Sequence, residues 1–227
     1  MTAMAEVTHA AVLFDFDGTL FDSAPDIAWC ANRVREAEGL DAIPEAHIRN
    51  YIGDGSERLL HRCLTDDLDG NVPEGPYLRA RDTFMRLYLE NLTRRSAWYP
   101  DAIDVLDRLS NRRTPISLVT NKPTRFTRPL LSELACERRF AAVVCGDTLP
   151  TRKPDPAMLV HAAQRAGVPA SQCVMVGDSL IDVEAARAAG MRAVFVTHGY
   201  CREVDTTAAR ADHVCTSLAA VAELLGL

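Results

Sequence analysis

Lysine is almost missing from this chain: of 25 basic residues only Lys122 and Lys153 are lysines, against 23 arginines. A compositional bias that replaces surface lysine by arginine accounts for the ratio. Yet a compact ammonium and a planar guanidinium are not interchangeable where geometry matters, so the two survivors are also candidates for positions that arginine does not fit. Paired cysteines are missing too. The seven, Cys30, Cys63, Cys136, Cys145, Cys173, Cys201 and Cys215, are scattered and odd in number, with no CxxC spacing. That argues against a disulfide framework or a cysteine zinc site and predicts reduced, mostly buried thiols. No run approaches the ~20 apolar residues of a membrane span, and the first ten residues lack the basic start and apolar core of a secretory signal. A cytoplasmic protein with no membrane partner is expected. A net charge of −6 removes any general attraction to nucleic acid, so an anionic ligand needs a local site.

What remains is an ordinary folding composition, 48% hydrophobic and 25% charged, in 227 residues, long enough for a sizeable core without staples. Short apolar runs at 10–14, 116–119, 141–144, 173–176 and 193–196 read as strands buried on both faces, with 213–215 a weaker sixth. Helical patterns lie between them, at 102–109, 126–134, 156–166 and 180–189, and 217–225 closes the chain. Strands alternating with helices predict an α/β fold with a parallel sheet covered on both sides.

From about Ala24 to Leu92 the rhythm breaks. No buried strand is apparent there, only helical patterns at 27–38, 57–64 and 77–92 joined by Gly-, Pro- and Asp-rich turns. We expect a helical module inserted after the first strand, 24–92, with the core made of 1–23 and 93–227. A lid over the sheet edge is the natural role for such an insertion.

Ligands of open parallel sheets bind beyond the carboxyl ends of the strands. The first strand ends in Asp15-Phe16-Asp17-Gly18-Thr19, the second in Thr120-Asn121-Lys122, and the fourth in Gly177-Asp178-Ser179-Leu180-Ile181-Asp182, while Lys153 follows the third. Four carboxylates and a lysine thus converge on one edge. Carboxylates gathered in a low dielectric repel one another unless a cation intervenes, and an oxygen-only set suits Mg²⁺. Histidine and cysteine are absent from these motifs, which argues against zinc. A carboxylate there can also act as a nucleophile, and of Asp15 and Asp17, two positions apart, one could attack while the other exchanges protons with the leaving oxygen.

The string DFDGTLFDS after a buried strand closely resembles motif I of the haloacid dehalogenase-like superfamily. Thr120 in LVTNK looks like motif II, Lys153 like motif III, and GDSLIDVEAA like motif IV, in the right order across nearly the whole chain. The resemblance implies a Rossmann-like core with an inserted α-helical cap. It implies Asp15 as the nucleophile that becomes phosphorylated, and Asp17 as acid and then base. Mg²⁺ would be held by the Asp15 carboxylate, the Asp17 carbonyl and Asp178, with Asp182 supporting from nearby. Thr120, with Asn121 beside it, would bind the phosphoryl group or substrate, and Lys153 would neutralise charge and hold Asp15.

Within the superfamily, Asp17 favours phosphate transfer over dehalogenation. The segment 24–92 contains no lysine for the Schiff base of relatives that cleave carbon–phosphorus bonds. Phosphomutase relatives are not excluded. DGTLFDSAPDI, YIGDGSERLL, TNKPTRF, KPDPAML and VTHGY resemble stretches of the phosphoglycolate phosphatase group, which implies 2-phosphoglycolate as substrate. Phosphatases of sugar phosphates, N-acetylmuramate 6-phosphate or pyrophosphate, and a phosphometabolite sensor, are the alternatives. The cap loop would receive the substrate carboxylate on Gly53, Asp54, Gly55 and Ser56, with Arg58 or another cap arginine. His198-Gly199-Tyr200 either approaches the site or turns the chain, Lys122 is equally undecided, and monomer and homodimer both stay open.

Overall fold

Buried on every residue, the strands β1 (Ala11–Phe14), β4 (Ile116–Val119) and β6 (Cys173–Gly177) form the centre of a parallel sheet, and the rest of the chain is organised around them. The computed structural model describes residues 7–200 and 210–227. In chain order the other elements are β2 (Phe21–Asp22), α1 (Ala24–Ala37), α2 (Glu45–Tyr51), α3 (Ser56–Thr65), α4 (Glu74–Leu89), β3 (Ala97–Trp98) and α5 (Ala102–Asn111). They continue with α6 (Thr124–Glu133), β5 (Ala142–Val144), α7 (Ala157–Ala166), α8 (Leu180–Ala188), β7 (Arg192–Val196), β8 (His213–Cys215) and α9 (Leu218–Leu224).

The six-stranded sheet runs β5-β4-β1-β6-β7-β8 with every pair parallel. Strand order reverses beside β1, so the carboxyl ends of β1, β4 and β6 flank the crevice where such sheets bind ligands. The period-2 alternation of a strand divides the core. Val12, Phe14, Val174 and Val176 face one layer with α5 and α9, while Ala11, Leu13, Cys173 and Met175 face the other with α7 and α8. Local sequence sets the helix ends. Ser179 and Asp182 close a reciprocal capping box at the start of α8, Ser217 caps α9 by accepting from Ala220 N at 3.2 Å, and Gly167 ends α7 in the left-handed region.

Between β2 and β3 lie α1 to α4. Their apolar faces, Ile27, Ile48, Leu60 and Phe84 among them, join the same buried cluster as Phe16, Phe21 and Phe126 of the sheet side. Tyr88 of α4 packs on Phe126 of α6 with ring centroids 5.0 Å apart. Where the chain leaves for these helices and returns, β2 and β3 form a two-residue antiparallel ladder, Phe21 opposite Trp98 and Asp22 opposite Ala97. Beside it the fully buried Asp26 of α1 accepts from the backbone N–H of Arg95 and Ser96 and from the Ser96 hydroxyl, at 2.7–3.1 Å, fastening the two connections together.

The six sequence-predicted strands and the eight helical stretches all form, with shifted ends. The β2–β3 ladder and α2 were not anticipated. Two-residue strands carry no periodicity, and α2 is seven residues that open after Pro44 and are braced by a Glu45–Arg49 pair at 2.8 Å. Six cysteines are free and buried, as the reading of reduced thiols expects, and Cys201 lies outside the described residues. Among the described residues no helix is long and apolar enough to cross a membrane.

Candidate active site

Asp15 follows β1 directly, its N–H bound to Val176 O at 2.9 Å, so the sheet itself aims its carboxylate over the crevice. The chain then folds back through Phe16 to Phe21, with the N–H groups of Thr19, Leu20 and Phe21 converging on Phe16 O. Gly18 makes that turn possible for two reasons. Its φ is +88°, and a Cβ there would stand 2.3 Å from Asp178 Oδ2. Asp178 directly follows β6 and accepts from the Thr19 hydroxyl at 2.8 Å and the Tyr200 N–H at 2.7 Å. Tyr200 thereby brings the His198-Gly199-Tyr200 stretch onto the motif I loop, and His198 Nε2 lies 3.0 Å from Thr19 O.

Lys153 is fully enclosed. Its Nζ donates to Val119 O at 2.8 Å and lies 2.7 Å from Asp182 Oδ1 and 3.0 Å from Asp15 Oδ1. Asp182 uses its other oxygen for the Ser179 N–H and hydroxyl of the capping box. Oxygens of Asp15, Asp178 and Asp182 all lie within 4.8 Å of one another. Burial pushes the Asp15 carboxyl up to about 7, with Lys153 pulling it down and Asp182 pushing it up. Burial also holds Asp178 well above the usual carboxylate range, and the charges of Asp15 and Asp182 add to that. Lys153 stays charged against its burial because Asp15 and Asp182 stand beside it.

This group fits a cation on the structure's own terms. Lys153 pairs with two of the three carboxylates, and Asp178 has no ion pair among the described residues. The donor set is oxygen only, the chemistry of a hard divalent ion. The Asp17 carboxylate does not join the group; it accepts from Ser23 Oγ at 2.6 Å and from Lys122 Nζ at 3.0 and 3.1 Å.

A cavity of about 50 Å³ opens between this edge and the inserted helices, lined by Asp15, Asp17, Thr120, Asn121 and Lys122 from the sheet side. Gly53, Gly55, Ser56 and the apolar side chains Ile27, Leu59, Phe84 and Tyr88 line the opposite side. Thr120 is buried, and its Oγ1 accepts from Lys122 N at 3.2 Å. The Asn121 amide already bridges three backbone groups. It donates to Gly53 O at 3.1 Å and Lys153 O at 3.0 Å and accepts from Lys153 N at 3.1 Å, so it ties the loop before α3 to the Lys153 segment.

Two of the residues expected at the substrate, Arg58 and Asp54, lie off the cavity wall. Arg58 does not line the cavity: its guanidinium donates to Leu68 O at 2.7 Å and Gly70 O at 2.9 Å, because the turn after α3 brings those carbonyls to it. Asp54 does not line it either, since it pairs with Arg62 at 2.5 Å, and Arg62 in turn binds Tyr51 O and Leu68 O. What the sequence reading missed are Tyr88, Leu59 and Phe84, whose helical spacing reads as ordinary core, and Arg152, which crosses Gly55 so closely that a Cβ there would meet its Nη1 at 2.8 Å.

Comparison with known proteins places this geometry. Residues 12–196 match the family model described as haloacid dehalogenase-like hydrolase. The chain is 41% identical to a phosphoglycolate phosphatase of Nitrosococcus oceani, over 94% of this chain and 95% of that protein. It is 38% identical to one of Chromobacterium violaceum, over 95% and 96%. The crystal structure of a predicted phosphoglycolate phosphatase from Haemophilus somnus superposes with a TM-score of 0.89 at 28% identity, covering 97% of this chain and 99% of that one.

Proposed function

The chain belongs to the haloacid dehalogenase-like hydrolases and is a phosphoric monoester hydrolase; from that premise we propose that it uses Mg²⁺ and a phosphoaspartate on Asp15 to convert 2-phosphoglycolate to glycolate and phosphate. One observation carries the mechanism: the buried Asp15 carboxylate, paired with Lys153, borders the same cavity as Asp17 and Thr120.

Asp15 attacks phosphorus, the bond to the leaving oxygen breaks, and Asp17 gives that oxygen a proton. Asp17 then takes a proton from the water that hydrolyses the phosphoaspartate. Thr120 holds a phosphoryl oxygen by its hydroxyl. Lys153 keeps Asp15 in place and offsets the phosphoryl charge, which is the main demand of phosphoryl transfer. Asp15, Asp178 and the Asp17 carbonyl would hold the Mg²⁺, with Asp182 supporting through Lys153 and the start of α8. When bound, the metal supplies charge neutralisation among the carboxylates and phosphoryl oxygens.

We read α1 to α4 as the cap and residues 53–56 as its substrate loop. The α3 N-terminus borders the cavity through Gly55 and Ser56, an end that favours an anion such as the carboxylate of phosphoglycolate. The names of the relatives support a two-carbon ester over a sugar phosphate. A steady-state panel of phosphoglycolate, sugar phosphates, N-acetylmuramate 6-phosphate, nucleotides and pyrophosphate tests the substrate. The highest kcat/KM is expected for phosphoglycolate, and a clear preference for another ester overturns that choice while leaving the reaction class.

A further inference from the structure

The mechanism above leaves the second lysine without a duty. Lys122 stands just past β4 with its side chain 4% exposed, the one cationic side chain lining the cavity among the described residues. Its ammonium has three donors and three acceptors around it: Asp17 Oδ1 at 3.0 Å, Asp17 Oδ2 at 3.1 Å and the Tyr88 hydroxyl at 2.6 Å. Nζ lies 4.8 Å from the Tyr88 ring centroid, on the hydroxyl side of the ring. Tyr88 belongs to α4, in the inserted helices, and is itself buried against Phe84 and Phe126.

These contacts join three separate parts of the chain at one carboxylate. Asp17 comes from the loop after β1, Lys122 from the end of β4, and Tyr88 from α4. Ser23 adds a hydroxyl on Asp17 Oδ1 at 2.6 Å, which leaves Oδ2, touched only by the longer Lys122 contact, as the freer oxygen. A compact ammonium can meet the Tyr88 hydroxyl and both Asp17 oxygens at once, which a planar guanidinium does with a different geometry.

We propose that Lys122, itself seated by Tyr88, is a positioning residue that fixes the Asp17 carboxylate toward the leaving oxygen, so that proton transfer depends on α4 being in place. The inference rests on the reading of Asp17 as the proton donor. As the bond from Asp15 to phosphorus forms and the bond to the alcohol oxygen breaks, the proton passes from Asp17 to that oxygen. The alcohol leaves neutral, and the charge remaining on Asp17 is met by Lys122. A misplacement of about 1 Å in such a group costs on the order of 10²-fold in rate.

The test compares kcat/KM on p-nitrophenyl phosphate, whose leaving group needs no proton, with kcat/KM on two alkyl esters that do, 2-phosphoglycolate and ethyl phosphate. Wild type, Asp17→Asn, Lys122→Met and Tyr88→Phe are measured. The alkyl-to-aryl ratio is expected to fall about tenfold or more in Lys122→Met and about threefold in Tyr88→Phe, in the same direction as Asp17→Asn, for both alkyl esters. If Asp17→Asn shifts the ratio while the other two variants lower all substrates alike, the positioning role is overturned. A loss confined to phosphoglycolate overturns it in favour of a contact with the substrate carboxylate. An unchanged ratio in Asp17→Asn overturns the proton-donor reading and this inference with it. Should Lys122→Met fail to fold, Tyr88→Phe, which removes one hydroxyl, decides alone.

Discussion

Lys153 and Asp182 form the most enclosed ion pair among the described residues, 2.7 Å between Nζ and Oδ1, with side chains 0% and 1% exposed. The same ammonium reaches Asp15, so the α8 N-terminus and the end of β1 are locked through one lysine. Lys153→Met should therefore cost both stability and turnover. Removing one partner of a buried pair leaves an uncompensated charge, about 3–5 kcal/mol, and loss of the cation beside the phosphoryl group should lower kcat by roughly 10²-fold or more. Lys153→Arg should be nearly as poor, because the enclosed site has no room for a guanidinium. Denaturant melts and steady-state rates check both, and an arginine variant of wild-type kcat returns the lysine scarcity to compositional bias.

The Asp26 clamp predicts a purely structural loss. Asp26→Ala leaves the Arg95 and Ser96 donors without their acceptor beside the β2–β3 ladder. A cost of about 2–4 kcal/mol is expected, a fall in Tm of roughly 5–15 °C for a chain of this size. Thermal unfolding measures it, and a change within about 0.5 kcal/mol contradicts the clamp.

Acidic crowding should make the metal-free protein lose stability as pH rises. Asp15 shifts from the ordinary 3.8 to about 7 on burial in the folded state, and Asp178 is raised as well. Between those values the folded state binds more protons than the unfolded one, so this contribution is fullest below about pH 4 and is lost as pH approaches about 7. Mg²⁺ competes with those protons, so it should raise Tm more at about pH 7.5 than at about pH 5. Melts in EDTA and in Mg²⁺ read this directly, and Asp15→Asn should flatten the metal-free decline. A Mg²⁺ effect that is larger at the acid end contradicts the assignment of these carboxylates.

Chelation carries its own expectation for turnover. EDTA should silence the enzyme and Mg²⁺ restore it, and undiminished activity after thorough chelation removes the metal from the account.

Much of this was legible in the sequence because it follows local rules. Apolar runs such as Ile116–Val119 are strands in the structure, since both faces of a parallel strand are covered. The residues just past β1, β4 and β6 meet at one edge because a parallel sheet must bring its carboxyl ends together. The side-chain pairings were not legible. Asp17 meeting Lys122, Asp178 meeting the Tyr200 N–H, and Asp26 meeting Ser96 join positions far apart in the chain, and no periodicity encodes them. The contacts of Arg58 were hidden for a related reason. An arginine at the start of a helix near a glycine loop looks free to bind an anion, but the turn at Leu68–Gly70 returns two carbonyls to its guanidinium.

The central claim is that Asp15 carries the phosphoryl group. Acid-quenching the Mg²⁺-loaded enzyme during turnover of 2-phosphoglycolate, followed by peptide mass spectrometry, tests it most directly. A phosphoryl adduct on the peptide containing Asp15, absent in a folded and inactive Asp15→Asn variant, is the predicted result. Steady turnover with no adduct on that peptide, or an Asp15→Asn variant that turns over near the wild-type rate, would contradict it.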